Sequence, residues 1–344
     1  MVRKKQEKEL QTVLQSESRR SELEAEAFAA SEEQPVLLDR YLRRAIEVDV
    51  DALCDGTEVV IAGIMEHIEQ AGVHSGDSAC SIPPRSLSAE VQAELARQAR
   101  LMALDLGVVG LMNVQFAVCD GEVYVLEVNP RASRTVPFVA KATGFPLARV
   151  AARLMAGETL ADLGISEAPL PSMMSVKEAV LPFRKFPGVD IMLGPEMKST
   201  GETMGSGATF AEAYAKALLG AGVRLPMSGR VVVRVDPDDA DLVGPIVHDL
   251  KALGFTVAAG DITADALAAR GLHLERVDPD HRLDGTAMVL ASGRGAAAFR
   301  HAAVKCRIPC YTTIAGFEAG VLAIGHLRAG TPAPLHLREV QARH

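Results

Sequence analysis

Val123-Tyr-Val-Leu-Glu-Val-Asn-Pro-Arg-Ala-Ser-Arg134 reads as a strand running into a polar turn. Val123, Val125 and Val128 are strand formers, and Pro130 stops the ladder. Glu127 and Asn129 are two apart, so on a strand they point to one face. A carboxylate and an amide oxygen placed there are hard ligands suited to Mg²⁺. Arg131 and Arg134 follow at once, with the fork geometry that clamps phosphate or carboxylate. Metal ligands followed by two arginines make a kit for handling a nucleoside triphosphate together with an acid substrate. A Glu-x-Asn pair at a strand end is also what a solvated sheet edge looks like, so the preceding segment has to decide.

That segment, Leu111-Met-Asn-Val-Gln-Phe-Ala-Val-Cys-Asp-Gly-Glu-Val-Tyr124, is a strand, a turn at Asp120-Gly121 and the return strand. Gln115 is a third oxygen ligand if the register allows it. A two-residue loop pairs position 115 with 126 and leaves Gln115 and Glu127 on opposite faces. A three-residue loop pairs 115 with 127 and puts them on one face. The metal reading therefore requires the odd loop or a bulge.

Bulk composition narrows the class. The 344 residues are enough for two domains, and 48% hydrophobic content supports a sizeable core that, with 4% aromatics and no Trp, is mostly aliphatic. A net charge of −8 argues against nucleic acid as a partner, since such proteins carry a basic stripe. No apolar run reaches membrane-spanning length and no signal peptide is visible. The five cysteines (Cys54, Cys80, Cys119, Cys306, Cys310) lack zinc spacing, and reduced thiols in a cytoplasmic protein are expected.

Working outward, residues 1–34 are a charged, solvated helix or tail, and Pro35 to Leu42 reads as a buried strand. Glu47-Val-Asp-Val-Asp51 alternates, which predicts a strand with a solvent-exposed acidic face. Glu58 to Met65 is the next strand. Glu66-His-Ile-Glu-Gln-Ala-Gly-Val-His-Ser-Gly-Asp77 reads as a polar loop interrupted by Gly72 and Gly76. Ser88 caps a helix of about 89–106, and further helices run from Arg134 to about Ala142, Leu147 to Ala156 and Phe210 to Leu219. Ser175 to Phe183 is a strand. Beyond a boundary near Gly220-Ala-Gly222, short strands alternate with helices, the pattern of a small parallel α/β sheet whose ligands sit beyond the strand carboxyl ends. The fold class is α/β.

Three motifs carry a resemblance: Met112-Asn-Val-Gln-Phe-Ala, Glu127-Val-Asn-Pro-Arg-Ala-Ser-Arg-Thr-Val-Pro-Phe138, and Glu66 to Cys80. Together they resemble the second, C-terminal synthetase unit of the carbamoyl phosphate synthetase large chain, from about Pro35 to about Phe317. The resemblance implies an α+β ATP-grasp half over 35–220, lacking its lid subdomain. A methylglyoxal-synthase-like regulatory domain would follow over 221–344. It implies MgATP-dependent phosphorylation of carbamate, with Mg²⁺ or Mn²⁺ held by Gln115, Glu127 and Asn129 and the acid steadied by Arg131 and Arg134. Arg40 and Leu42 would contact adenine, and Glu47 the ribose. Gly72, Val73, His74 and Ser75 would line the ATP site with Gln115 and Glu127. Glu69, Asp77 and Glu178 would form an ornithine effector pocket.

The resemblance also implies a nucleotide effector (UMP or IMP) for the last domain, and there the sequence departs from its pattern. Gly260 stands where a phosphate-binding Thr is expected, Asp261 is acidic beside it, and Arg276 takes a usual Lys position, while Thr263, Thr312 and Thr313 are kept. Altered nucleotide regulation follows. At the front, no Gly-rich phosphate loop lies between Met1 and Pro35. The resemblance therefore implies partners: the missing N-terminal part of a large chain and a glutamine amidotransferase small chain. The alternative is a non-catalytic remnant or regulatory piece that binds a nucleotide or a partner chain. Another ATP-grasp ligase acting on a different acid is disfavoured by the length of the shared motifs.

Overall fold

The computed structural model describes residues 42, 44–183, 189–278, 283–330 and 332–342. The chain divides into two units, Met1–Arg43 and Arg44–His344, and the second is described here. The expected tail, most of the Pro35–Leu42 strand and Arg40 lie outside the described residues. Leu42 is half-buried in the first unit.

Seven strands build an antiparallel sheet: β1 (Ile46–Asp55), β2 (Val59–Gln70), β3 (Cys80–Ile82), β4 (Val109–Cys119), β5 (Glu122–Asn129), β6 (Met174–Val180) and β7 (Gly201–Gly207), in the order β5-β4-β1-β2-β3-β6-β7. One face carries Val48, Val50, Met112, Val114 and Phe116, packed against Leu95, Ala99 and Ala103 of α1 (Ala89–Asp105). Ser88 caps that helix, its hydroxyl accepting from Val91 N. The helix buries a stripe through Ala103 and leaves Leu106 exposed at its C-cap. On the other side, α2 (Val136–Thr143) and α3 (Leu147–Met155) bury Phe138, Val139, Leu147 and Leu154 against Leu53, Met65 and Leu111.

The acidic face of β1 corrects the expected solvent exposure. Glu47, Asp49 and Asp51 are 3%, 1% and 0% exposed. They are buried because other elements supply donors to them, as set out below. The polar run from Glu66 corrects in the same way: Glu66, His67 and Glu69 lie within β2, and only the residues after Gln70 form the loop.

A second sheet is wholly parallel: β8 (Arg230–Arg234), β9 (Thr256–Ala259), β10 (Glu275–Arg276), β11 (Thr286–Ala291) and β12 (Cys310–Tyr311), in the order β10-β9-β8-β11-β12. Helices α5 (Ala240–Ala252), α6 (Asp261–Ala268), α7 (Ala297–Lys305) and α8 (Ile314–Ala329) connect or flank it. Parallel neighbours need a crossover connection of a dozen or more residues, usually a helix, as the sequence alternation implies. The helix α4 (Phe210–Gly220) shares one core with the second sheet and α8, through Tyr214, Leu218, Phe317 and Val321. A short terminal helix, α9 (Leu337–Gln341), buries Val340 and packs against α2.

Candidate functional site

The β4–β5 hairpin turns through Asp120 and Gly121, both with positive φ (53° and 82°), the type I′ geometry that a two-residue loop demands. Cys119 pairs with Glu122 and Phe116 with Val125, as such a loop dictates. The ladder then slips: Gln115 pairs with Glu127, leaving Leu126 as the extra residue of a bulge. Of the ways the sequence left open to bring Gln115 and Glu127 to one face, the chain uses the bulge.

The consequence runs across three strands. Asp49 pairs with Gln115, which pairs with Glu127; Asp51 pairs with Asn113, which pairs with Asn129. Two adjacent polar rows therefore share one sheet face. A cavity of about 350 Å³ opens over them. Its walls include Gln115, Glu127, Asn129, Arg131 and Arg134, together with Glu47 of β1 and the loop Gly72, Val73, His74 and Ser75. The structure thus brings together ten of the residues singled out in the sequence. It adds Asn113, Ser133 and Pro195, which carry no signal of their own in the sequence.

Each wall has a local reason. Gly72 has φ +95° and points its amide at Glu47 Oε2, 3.0 Å away. His74 Nδ1 accepts from Gly76 N at 2.9 Å, and His74 N donates to Gly194 O at 2.9 Å, which seats Pro195 on the cavity. Burial, then the Arg134 charge, holds the His74 imidazole below its ordinary pKa. Arg131 Nη2 donates to Asn129 Oδ1 at 3.1 Å, and the Arg134 guanidinium lies against Met197 Sδ.

Beneath the cavity the acids are satisfied one by one. His67 Nε2 bonds Asp49 Oδ2 at 2.8 Å, and its Nδ1 lies 3.8 Å from Glu47 Oε1. Burial opposes the imidazolium, but the hydrogen bond and charge of Asp49, with that of Glu47, outweigh it and raise the His67 pKa. Burial, against the pull of His67, raises Glu47. Asp51 accepts from Asn113 Nδ2 at 2.9 Å, Ser133 Oγ at 2.8 Å and Thr135 Oγ1 at 2.8 Å. Its burial nevertheless lifts its carboxyl to about 6.

The donor set at the cavity fits a hard divalent cation. The Glu127 side chain is exposed on the cavity wall. With the Gln115 and Asn129 amides it offers one carboxylate and neutral oxygens, the sparse protein set that Mg²⁺ takes when phosphates complete its shell. No cluster of three His, Cys, Asp or Glu suited to a metal occurs among the described residues.

The residues linked to effectors fall into three places. Glu69 accepts from Ser78 Oγ and Ala79 N, both at 2.7 Å. Burial, then the Glu69 charge, raises Glu178 well above the carboxylate range, and its Oε2 is buried without a partner among the described residues. The N-terminus of α8 lies beside Glu69: a methyl added at Gly316 would stand 4.0 Å from Glu69 Oε1. There Thr313 caps the helix by accepting from Gly316 N, with half-buried Thr312 beside it. Asp77 instead spends its carboxylate on Lys198 N and Ser199 N, at 2.7 and 2.8 Å. In the parallel sheet the Thr263 hydroxyl is buried between Val235 N and Val235 O, and Arg276 pairs with Asp261 and Asp265.

Residues 6–163 match the family described as carbamoyl-phosphate synthase L chain, ATP binding domain. The chain is 54% identical over 311 residues to a carbamoyl phosphate synthase large chain of Pasteurella multocida, covering 86% of this chain and 29% of that one. It is 51% identical over 333 residues to the large chain of Neisseria meningitidis serogroup A, covering 91% of this chain and 31% of that one. The chain thus spans about three-tenths of the length of these relatives. A solved biotin carboxylase domain of a single-chain bacterial carboxylase superposes with a TM-score of 0.42 at 21% identity, covering 53% of this chain and 47% of that one. No helix among the described residues is long and apolar enough to cross a membrane.

Proposed function

Because the chain is a relative of the carbamoyl phosphate synthase large chains, we propose that its cavity takes MgATP and carbamate and forms carbamoyl phosphate and ADP within a glutamine-dependent assembly. The observation that carries this reading is the convergence of Gln115, Glu127 and Asn129 with Arg131 and Arg134 on one cavity. Glu127 with the two amides would hold Mg²⁺ or Mn²⁺, and Arg131 and Arg134 would steady the carbamate and the transferring phosphoryl group. A bound cation neutralises charge on the phosphate oxygens. The protein's share is placement: a carbamate oxygen bonds to the γ-phosphorus as the bond to the bridging oxygen of ADP breaks, with developing charge on equatorial oxygens facing the arginines. Glu47 and residues 72–75 would seat the nucleotide.

In this reading residues 35–220 form the ATP-grasp half and 221–344 a regulatory domain, after a segment over 1–34. Glu69 and Glu178 would receive a cationic effector of the ornithine kind. The occupied Thr263 and Arg276 fit a weakened nucleotide response. The remaining large-chain portion and a glutamine amidotransferase small chain would be partners, and the cytoplasm the location. The products would enter pyrimidine and arginine synthesis.

The test combines the chain with the rest of a large chain and a small chain, and follows ATP formed from MgADP and carbamoyl phosphate. ATP synthesis that requires this chain is expected. Its absence, in an assembly that forms by sedimentation, would overturn the reading.

A further inference from the structure

We infer that Asp51 is a positioning residue that ties down the turn carrying Arg131 and Arg134. Asp51 stands on β1, beneath the cavity and fully buried. The turn it holds follows β5, two strands away in the sheet order. Three donors converge on it from two elements: Asn113 Nδ2 from β4, and the hydroxyls of Ser133 and Thr135 from the turn itself. The two hydroxyls also touch each other at 2.6 Å, so they form one clamp with the carboxylate.

The clamp brackets Arg134 on both sides in sequence. The other end of the turn is held at Asn129, whose carbonyl accepts from Arg131 N at 2.8 Å. Arg131 and Arg134 are themselves exposed, so burial of their own side chains does not anchor the turn. Without the clamp, a six-residue polar turn beginning at Pro130 would rest on its Asn129 end and the start of α2.

The chemistry of the holder also fits this role. A neutral acceptor would fill the same volume with a smaller burial cost. An ionised carboxylate makes hydrogen bonds roughly twice as strong as neutral ones and can engage several donors at once. Burial lifts the Asp51 carboxyl to about 6, so at neutral pH the group is held charged against its surroundings. Groups kept in that condition concentrate where placement matters to function. The inference gives Asp51 a role in the arginine arrangement of the proposed phosphoryl-transfer site and rests on that reading for its functional meaning. Its structural content does not.

Hydrogen exchange on the full chain separates the two. Asp51→Asn and Thr135→Val should each speed amide exchange within residues 131–135 by at least about tenfold, the loss of one hydrogen bond to a charged group. The interiors of β1 and β4 should keep their protection. Thr135→Ser, which keeps the hydroxyl, should restore wild-type exchange. Combining Asp51→Asn with Thr135→Val should add nothing beyond either alone, because both cut the same tie. Unchanged exchange at 131–135 in both variants would overturn the inference. So would faster exchange spread evenly over β1 and β4, which marks a merely structural core residue. Neither result depends on nucleotide or carbamate, so failure of the proposed reaction leaves this test intact.

Discussion

Gln115 and Glu127 stand directly opposite each other across β4 and β5 because Leu126 bulges out of the ladder between them. The slip of one residue sets which face of the sheet holds the Glu127 carboxylate. Everything downstream of it, including Asn129 beside Asn113, inherits the new register.

Replacing Glu127 by Gln should therefore leave the fold alone and remove the one carboxylate among the three proposed metal ligands. In the assembled enzyme, ATP synthesis from carbamoyl phosphate should fall on the order of a hundredfold or more, as losses of aligned charge in active sites do. Stability should change by less than about 0.5 kcal/mol, because the side chain is exposed. Steady-state assays beside thermal melts check both halves. Near-normal turnover would remove Glu127 from the ligand set.

How far the sequence led depends on whether the information was local. The Glu127, Asn129 and Arg131 cluster was legible because strand alternation and proline punctuation act over a few residues. The bulge was not, since an Asp-Gly turn sets the first pairs of a hairpin and is silent about a slip further along. Glu47, Asp49 and Asp51 read as a wet face because their donors are remote: Asn113 and Thr135 lie 62 and 84 positions beyond Asp51. Glu66, His67 and Glu69 were drawn into a loop reading by the glycines at 72 and 76. Hydrogen bonding to neighbouring strands keeps them in β2.

Asp51 makes the chain's stability depend on pH. Its folded pKa, about 6, lies above the ordinary 3.8, so the folded state binds the proton more tightly. The associated stability is fully present below 3.8 and is lost as pH rises through 6. The gap corresponds to roughly 3 kcal/mol at 1.36 kcal/mol per pH unit. The groups facing it are Asp49 on its own strand, Asn113 on β4, and Ser133 and Thr135 on the turn. Asp51→Asn should therefore gain stability relative to wild type between pH 4 and pH 7, by an amount of that order. Urea titrations at both values measure it. A constant difference between the two proteins would count against a raised Asp51.

Arg300 and Asp190 tie the parallel sheet to the segment that borders the cavity. The guanidinium is 2% exposed and meets Asp190 through two bonds of 2.6 Å, while its Nη1 donates to Ala291 O and Gly293 O. Asp190 is the more exposed partner, and the Arg300 contact holds its carboxyl below the usual range. Removing either partner should be unequal in cost. Asp190→Ala strands a buried cation and should cost about 3 kcal/mol, whereas Arg300→Met leaves a carboxylate that water can reach and should cost less. Guanidinium titrations of the two single variants test the order. Equal losses would mean that the backbone carbonyls, rather than Asp190, hold Arg300.

Gly205 shows where the sheet and α4 meet with no room to spare. A Cβ placed there would lie 2.1 Å from Ala213 O and 2.5 Å from Ala217 N. Both neighbours are helix backbone, so no side chain can rotate away, and the helix itself would have to lift from β7. α4 also shares the core that reaches Phe317 and Val321 of α8, so lifting it disturbs both sheets. Gly205→Ala should cost more than the 1–3 kcal/mol typical of an overpacked core, on the order of 4 kcal/mol. Gly325→Ala, where an added methyl meets nothing within 4 Å on the helix α8, should instead be stabilising by about 0.5–1 kcal/mol. Paired melts of the two alanine variants read opposite signs if the close approach at Gly205 is real, and the same sign if it is not.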